Sequence, residues 1–124
     1  MIIRYPELIL SPTQSSKFAL NIDLAPTIAE LAGASTPPTV NGISLVPLFA
    51  NPDAAWRSDF LVEHSGGNYG VRDNQSKYVE LGTGEKEFYD LSIDPYELDN
   101  SINNPAYNAT ISQLAQRLAQ LKQE

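Results

Sequence analysis

Apolar and polar residues change their spacing along this chain, and each change predicts a different kind of element. Residues 1 to 4, apolar up to Arg4, read as a short strand stopped by Pro6, followed by a polar, turn-rich stretch from Ser11 to Lys17. A strand that opens a chain needs a neighbour to pair with, so this reading implies a sheet beyond it. Asp23 is placed to cap a helix running through Ala32, with Pro26 where no intrahelical donor is lost. Leu24, Ile28 and Leu31 fall on one face of that helix, and Gly33 ends it. Thr36-Pro37-Pro38-Thr39 forces an extended path, after which Ser44 to Phe49 predicts one short helical turn.

From Phe60 the period becomes two. Strands are predicted at 59 to 64, 69 to 73, 76 to 81 and 86 to 90, separated by Gly66-Gly67, Asp73-Asn74 and Gly82-Thr83-Gly84. Such spacings suit an antiparallel meander. Asn104 then caps a last helix with Pro105 at its first position. Tyr107, Ile111, Leu114, Leu118 and Leu121 recur at helical intervals, giving a stripe that would lie across the sheet. The fold class expected is α+β: a sheet of four antiparallel strands with a C-terminal helix packed on it, preceded by a strand and a helix. Asn51-Pro52-Asp53 marks the expected seam, giving a helical part at 1–50 and a strand part at 51–124.

Composition narrows the functions. The 124 residues suit one modest core, and without cysteine that core has no disulfide, no thiolate zinc site and no cysteine nucleophile to draw on. A net charge of −7, with eight scattered Lys and Arg, argues against nucleic acid and anionic lipid as partners. No stretch approaches the roughly 18 apolar residues of a membrane span, and the opening Met1-Ile2-Ile3-Arg4-Tyr5-Pro6 is too short for a signal peptide. Localisation is left open.

Three segments carry a resemblance to a known family. They are Asn21-Ile22-Asp23-Leu24-Ala25-Pro26-Thr27-Ile28-Ala29-Glu30-Leu31-Ala32-Gly33, then Asn41-Gly42-Ile43-Ser44-Leu45-Val46-Pro47-Leu48, then Glu87-Phe88-Tyr89-Asp90-Leu91-Ser92-Ile93-Asp94-Pro95-Tyr96-Glu97-Leu98-Asp99-Asn100. In order and spacing they resemble the C-terminal stretches of sulfatases, and Leu61 to His64 and Gly70 to Val79 resemble the strands before the last of them. The resemblance implies the tail of an alkaline-phosphatase-like core joined to a C-terminal subdomain of sheet and helix. It also implies a family chemistry of formylglycine, made from Cys or Ser in a C/S-x-P-x-x-R motif, beside a calcium ion held by Asp and Asn. Neither has a counterpart here: the one Ser-Pro pair, Ser11-Pro12, lacks the spacing and the Arg. No nucleophile and no metal ligand is therefore assigned. Sulfate ester hydrolysis asks an enzyme for on the order of 20 kcal/mol of barrier lowering, so the chain alone is expected to be catalytically silent.

Individual residues keep two readings each. His64, the one histidine, sits at a strand end before Ser65-Gly66-Gly67 and could hydrogen-bond a sugar or sulfate oxygen; otherwise it is a strand-end polar residue. Arg72 and Lys77 flank a tight turn and could hold an anion together, or pair with a carboxylate such as Glu80. Asp90, Asp94 and Asp99 lack calcium-loop spacing and read as turn formers. Tyr78, Phe88 and Tyr89 read as the sheet's packing against the last helix, and the Asn74 and Asn108 glycosylation patterns as chance matches. Two functions follow. One is an incomplete sulfatase that associates with itself or with a sulfatase N-terminal chain through apolar surface at Ile2, Ile3, Leu24 and Leu48. The other is a stand-alone module binding a sulfated saccharide or a protein partner.

Overall fold

A computed structural model describes residues 1–37 and 39–123, so Pro38 of the expected proline linker lies outside the described residues. The chain forms two compact units, Met1–Arg57 and Ser58–Glu124. Residues 52 to 57, which include part of the expected seam, are tied to the first unit. Ser15 Oγ donates to the Pro52 carbonyl at 2.7 Å, Trp56 Nε1 donates to the Phe18 carbonyl at 2.7 Å, and Arg57 pairs with Asp23.

In the first unit, a 3-10 turn at Asn21–Asp23 leads into helix α1, Leu24–Leu31, and a short helix α2 follows at Val46–Ala50. Gly33, at φ 66°, closes α1: its N–H donates to the Glu30 carbonyl and that of Ala34 to the Ala29 carbonyl, the pairing that satisfies the helix's last acceptors. The expected strand at residues 1 to 4 does not form. Among the described residues no strand pairs with it, and a ladder needs a partner's backbone. Asp23 does not cap α1 as expected either. Its backbone is already helical, and its buried carboxylate accepts instead from the Leu20 and Ile43 backbone N–H groups and from both terminal nitrogens of Arg57. One turn on, buried Thr27 donates to the Asp23 carbonyl and accepts from the Leu45 N–H.

This network decides which way α1 faces. Asp23, just before the helix, and Thr27 within it point inward, while Leu24 is 40% and Ile28 65% exposed and Glu30 is exposed as well. Leu48, expected at the surface, is instead 8% exposed beside Leu45.

The second unit is the predicted meander: β1 Asp59–His64, β2 Asn68–Asp73, β3 Ser76–Glu80 and β4 Lys86–Asp90, antiparallel in the order β1-β2-β3-β4. Leu61, Val71, Tyr78 and Phe88 face one another in register across the four strands. Onto that row packs α3, Asn108–Leu121, through Leu114 and Leu118, with Tyr107, Ile111 and Leu121 at its margins. Asn104 caps the 3-10 turn at Pro105–Tyr107 through its side chain and Ala106 N–H, as the sequence predicts. Two-residue alternation puts Tyr89 on the other face, in register with Lys77, so it does not join Tyr78 and Phe88 against the helix.

Leu118 is fully buried in this core. Leu118→Ala removes about three methyl or methylene groups and leaves a cavity, so a loss of about 2–5 kcal/mol is expected in urea unfolding followed by circular dichroism. A loss below about 1 kcal/mol would contradict the packing described.

Candidate functional site

The meander sends the β1–β2 and β3–β4 turns to the same end of the sheet, and His64 stands there as the last residue of β1. The connection is three residues long, and Gly66 and Gly67 adopt φ of 86° and 77°, a conformation that side chains resist. The imidazole is exposed, with Nδ1 3.2 Å from the Ser65 carbonyl oxygen and 3.4 Å from Ser65 Oγ. Asn68, paired with His64 across the hairpin, joins the two turns. Its Nδ2 donates to the Ser65 carbonyl at 2.8 Å, and its Oδ1 accepts from the Gly82 N–H at 2.9 Å. The turns meet so closely that a Cβ on Gly82 would stand 1.9 Å from the Gly66 carbonyl oxygen.

Arg72 and Lys77 lie directly opposite each other on β2 and β3, on the face of the sheet turned away from α3, which His64 also shares. They stand at the far end: four residues separate Asn68 from Arg72, about 13 Å of strand. The structure therefore brings Arg72 and Lys77 together and leaves His64 apart from them. Two cations facing across a ladder repel. Glu97 reaches both, at 3.7 Å from Arg72 and 2.5 Å from Lys77, and so the carboxylate partner is Glu97 rather than the expected Glu80. Glu80 is instead held by Lys122 and Lys86. Glu97 adopts a left-handed backbone, φ 57°, which is costly for a residue with a side chain and is held by the surrounding loop.

That loop is built on Asp94, whose carboxylate accepts the backbone N–H groups of Leu98 and Asp99. The same bonds, Asp99 first, hold its carboxyl below the ordinary value of 3.8. Asp90 is lowered likewise, chiefly by the Ser92 hydroxyl, and it accepts from the Tyr107 hydroxyl as well. Asn100 adds the tie to the sheet, accepting from the Phe88 N–H and donating to the Lys86 carbonyl. Asp90 and Asp94 thus form turns. Among the described residues no group of three His, Cys, Asp or Glu side chains is placed to hold a metal ion. The sequence reading missed Glu97, Asn68 and Gly82. For the last two, the glycines in both predicted turns were the available sign.

The comparisons with known proteins point to one family. The model of the family "N-sulphoglucosamine sulphohydrolase, C-terminal" matches residues 1–124. An N-acetylglucosamine-6-O-sulfatase of Bacteroides thetaiotaomicron is 31% identical over 100% of this chain and 25% of its own length. Human N-acetylglucosamine-6-sulfatase is 40% identical over 68% of this chain and 16% of its own. A solved structure in complex with its substrate, D-glucosamine-2-N,6-O-disulfate, superposes with a TM-score of 0.85 at 30% identity, covering 98% of this chain and 27% of that one. The chain thus spans about a quarter of the length of such relatives.

The lowered carboxyls set a pH dependence. A group whose pKa is lower folded than unfolded adds stability above its unfolded value, here about 3.8, and loses it as pH falls through the folded one. Urea midpoints are expected to decline as pH drops from 4 toward 2.5, with Asp94→Asn making the decline shallower. Parallel declines in both proteins would show that Asp94 carries none of it.

Proposed function

Because the chain belongs to the C-terminal family of N-sulphoglucosamine sulphohydrolases, we propose that it works as the C-terminal quarter of a sulfuric ester hydrolase acting on 6-O-sulfated glucosamine. The nucleophile and the metal belong to a catalytic part outside these 124 residues, and this chain docks on that part and contributes polar contacts to the saccharide. The substrate class rests on the 31% identity with an N-acetylglucosamine-6-O-sulfatase and the fold shared with a protein bound to a 6-O-sulfated glucosamine.

One observation carries the docking half. Helix α1 buries Pro26 and Thr27, after the buried Asp23, and leaves Leu24 and Ile28 outward along with Glu30, while Ile2, Leu10 and Ile22 are also exposed in the same unit. A helix held that way by a buried ion pair has its apolar side reserved for further polypeptide. The relatives have three quarters of a chain to put there. The stand-alone binding module shares the saccharide contact but leaves that apolar side without an occupant.

On the saccharide side, His64 is the candidate, since its ring is exposed and its turn is fixed by Asn68, which donates to the Ser65 carbonyl and accepts from the Gly82 N–H. An imidazole can accept from a sugar hydroxyl or, protonated, donate to a sulfate oxygen. Arg72 and Lys77 are already engaged by Glu97, and we assign them to bracing that loop, with Arg72, at 41% side-chain exposure, the better placed of the two to reach an anion as well.

The test is complementation. The pure chain is expected to release no sulfate from glucosamine 6-sulfate, with calcium present. Mixed or co-expressed with the bacterial N-acetylglucosamine-6-O-sulfatase from which the matching quarter has been deleted, it is expected to restore turnover. Hydrolysis by the pure chain, abolished in a single-residue variant of it, would sink the reading; so would a catalytic part that gains nothing from its addition.

A further inference from the structure

The contacts around Ser65 point to a role for Asn68 that reaches beyond holding a turn. The Ser65 carbonyl oxygen is approached by two groups at once, Asn68 Nδ2 at 2.8 Å and His64 Nδ1 at 3.2 Å. The first is a donor in every protonation state. It fixes where that oxygen lies, and a carbonyl oxygen can only accept. We propose that Asn68 is a positioning residue for His64: by pinning the Ser65 carbonyl it holds the imidazole as the Nδ1–H tautomer and leaves Nε2 as a bare acceptor facing outward.

The argument runs from the backbone upward. A histidine in water favours the Nε2–H tautomer, and a backbone carbonyl beside Nδ1 reverses that preference by accepting the Nδ1 proton. The carbonyl must be held there to do so, and the Ser65-Gly66-Gly67 connection, with two glycines, is the part of the hairpin least able to hold itself. Asn68 supplies the restraint. Its other atom, Oδ1, is fixed by the Gly82 N–H, and Gly82 can approach only because it has no side chain, since a Cβ there would run into the Gly66 carbonyl oxygen. The order is therefore Gly82 to Asn68 to the Ser65 carbonyl to His64 Nδ1. Ser65 Oγ, 3.4 Å from Nδ1, is the competitor, because a hydroxyl could donate to a bare Nδ1 and select the opposite tautomer. The shorter contact favours the carbonyl.

The chemical consequence concerns the ligand. An outward Nε2 without a proton accepts from a sugar hydroxyl, whereas Nε2–H would donate to an ester or sulfate oxygen. In the neutral state the arrangement thus selects a hydroxyl-bearing sugar edge, a refinement that rests on His64 meeting the saccharide as proposed above.

The chain has a single histidine, so one set of imidazole resonances reports the answer. In the 124-residue protein labelled with nitrogen-15, at alkaline pH, long-range nitrogen–proton spectra are expected to show Nδ1 protonated and Nε2 bare. Asn68→Ala should return the ring to mainly Nε2–H. Asn68→Asp, which keeps the acceptor for Gly82 but replaces the donor, should do the same while the Gly82 amide stays protected from exchange. A general loosening of the turn would instead expose Gly82 in both variants. A wild-type ring already in the Nε2–H form, or a tautomer unchanged in both variants, would overturn the inference. Calorimetry with glucosamine 6-sulfate separates this from the saccharide reading. Binding weakened about three- to tenfold in Asn68→Ala supports both, the range being that of one hydrogen bond. No heat with the wild type, alongside the expected tautomer shift, would remove the saccharide contact and leave the positioning role standing.

Discussion

The first unit depends on one carboxylate. Asp23 is fully buried and accepts from four donors, two on the backbone and two on Arg57, so its charge is matched and its lone pairs are used. A buried ion pair of this kind adds little net stability compared with apolar packing, but breaking it leaves an uncompensated charge at a cost of about 3–5 kcal/mol. Its value here is orientation. Residues 20, 23, 43 and 57 are held at one point, and α1 can lie only with Thr27 inward and Leu24 and Ile28 outward. An ordinary amphipathic helix would turn over to bury Leu24 and Ile28; this one is prevented from doing so.

The second unit is built on different physics. Its stability comes from a continuous row, Leu61, Val71, Tyr78 and Phe88, covered by Leu114 and Leu118, and the two faces of the sheet differ. The face on α3 is apolar. The other is edged by ion pairs at one end, where Glu97 relieves the opposition of Arg72 and Lys77, and by two glycine turns at the other, where Asn68 fixes the backbone beside His64. The rigid row separates these ends, which is why the three polar residues do not converge on one pocket. Taken with the family match, the second unit supplies a firm platform and the first an unsatisfied apolar surface.

The second unit was largely legible in the sequence because its signals are local. Alternation from Phe60, glycines at the turns, and the Asn104-Pro105 start of the last helix each act over a few residues, and the structure follows them. The first unit was legible only in part. Asp23 has the right chemistry and position for a helix cap, and what claims it instead is Arg57, 34 residues on, together with the Ile43 backbone. Residues 1 to 4, with Met1, Ile2 and Ile3 apolar, have the pattern of a strand, but a strand is a property of two segments. The same limit applies to the candidate site. His64, Arg72 and Lys77 were visible as residue types, whereas Glu97 is brought to Arg72 and Lys77 by a left-handed bend, and Asn68 matters through Gly82, 14 residues away.

The central claim is that the outward face of α1 is where the catalytic part sits. It is tested most directly by analytical ultracentrifugation of the chain with the bacterial relative's catalytic part, comparing wild type with Ile28→Glu. Ile28 is mostly exposed, so the substitution should leave the chain's own unfolding midpoint within about 0.5 kcal/mol of wild type. The account predicts a complex for the wild-type chain and none for Ile28→Glu. Equal complex formation by both would contradict it.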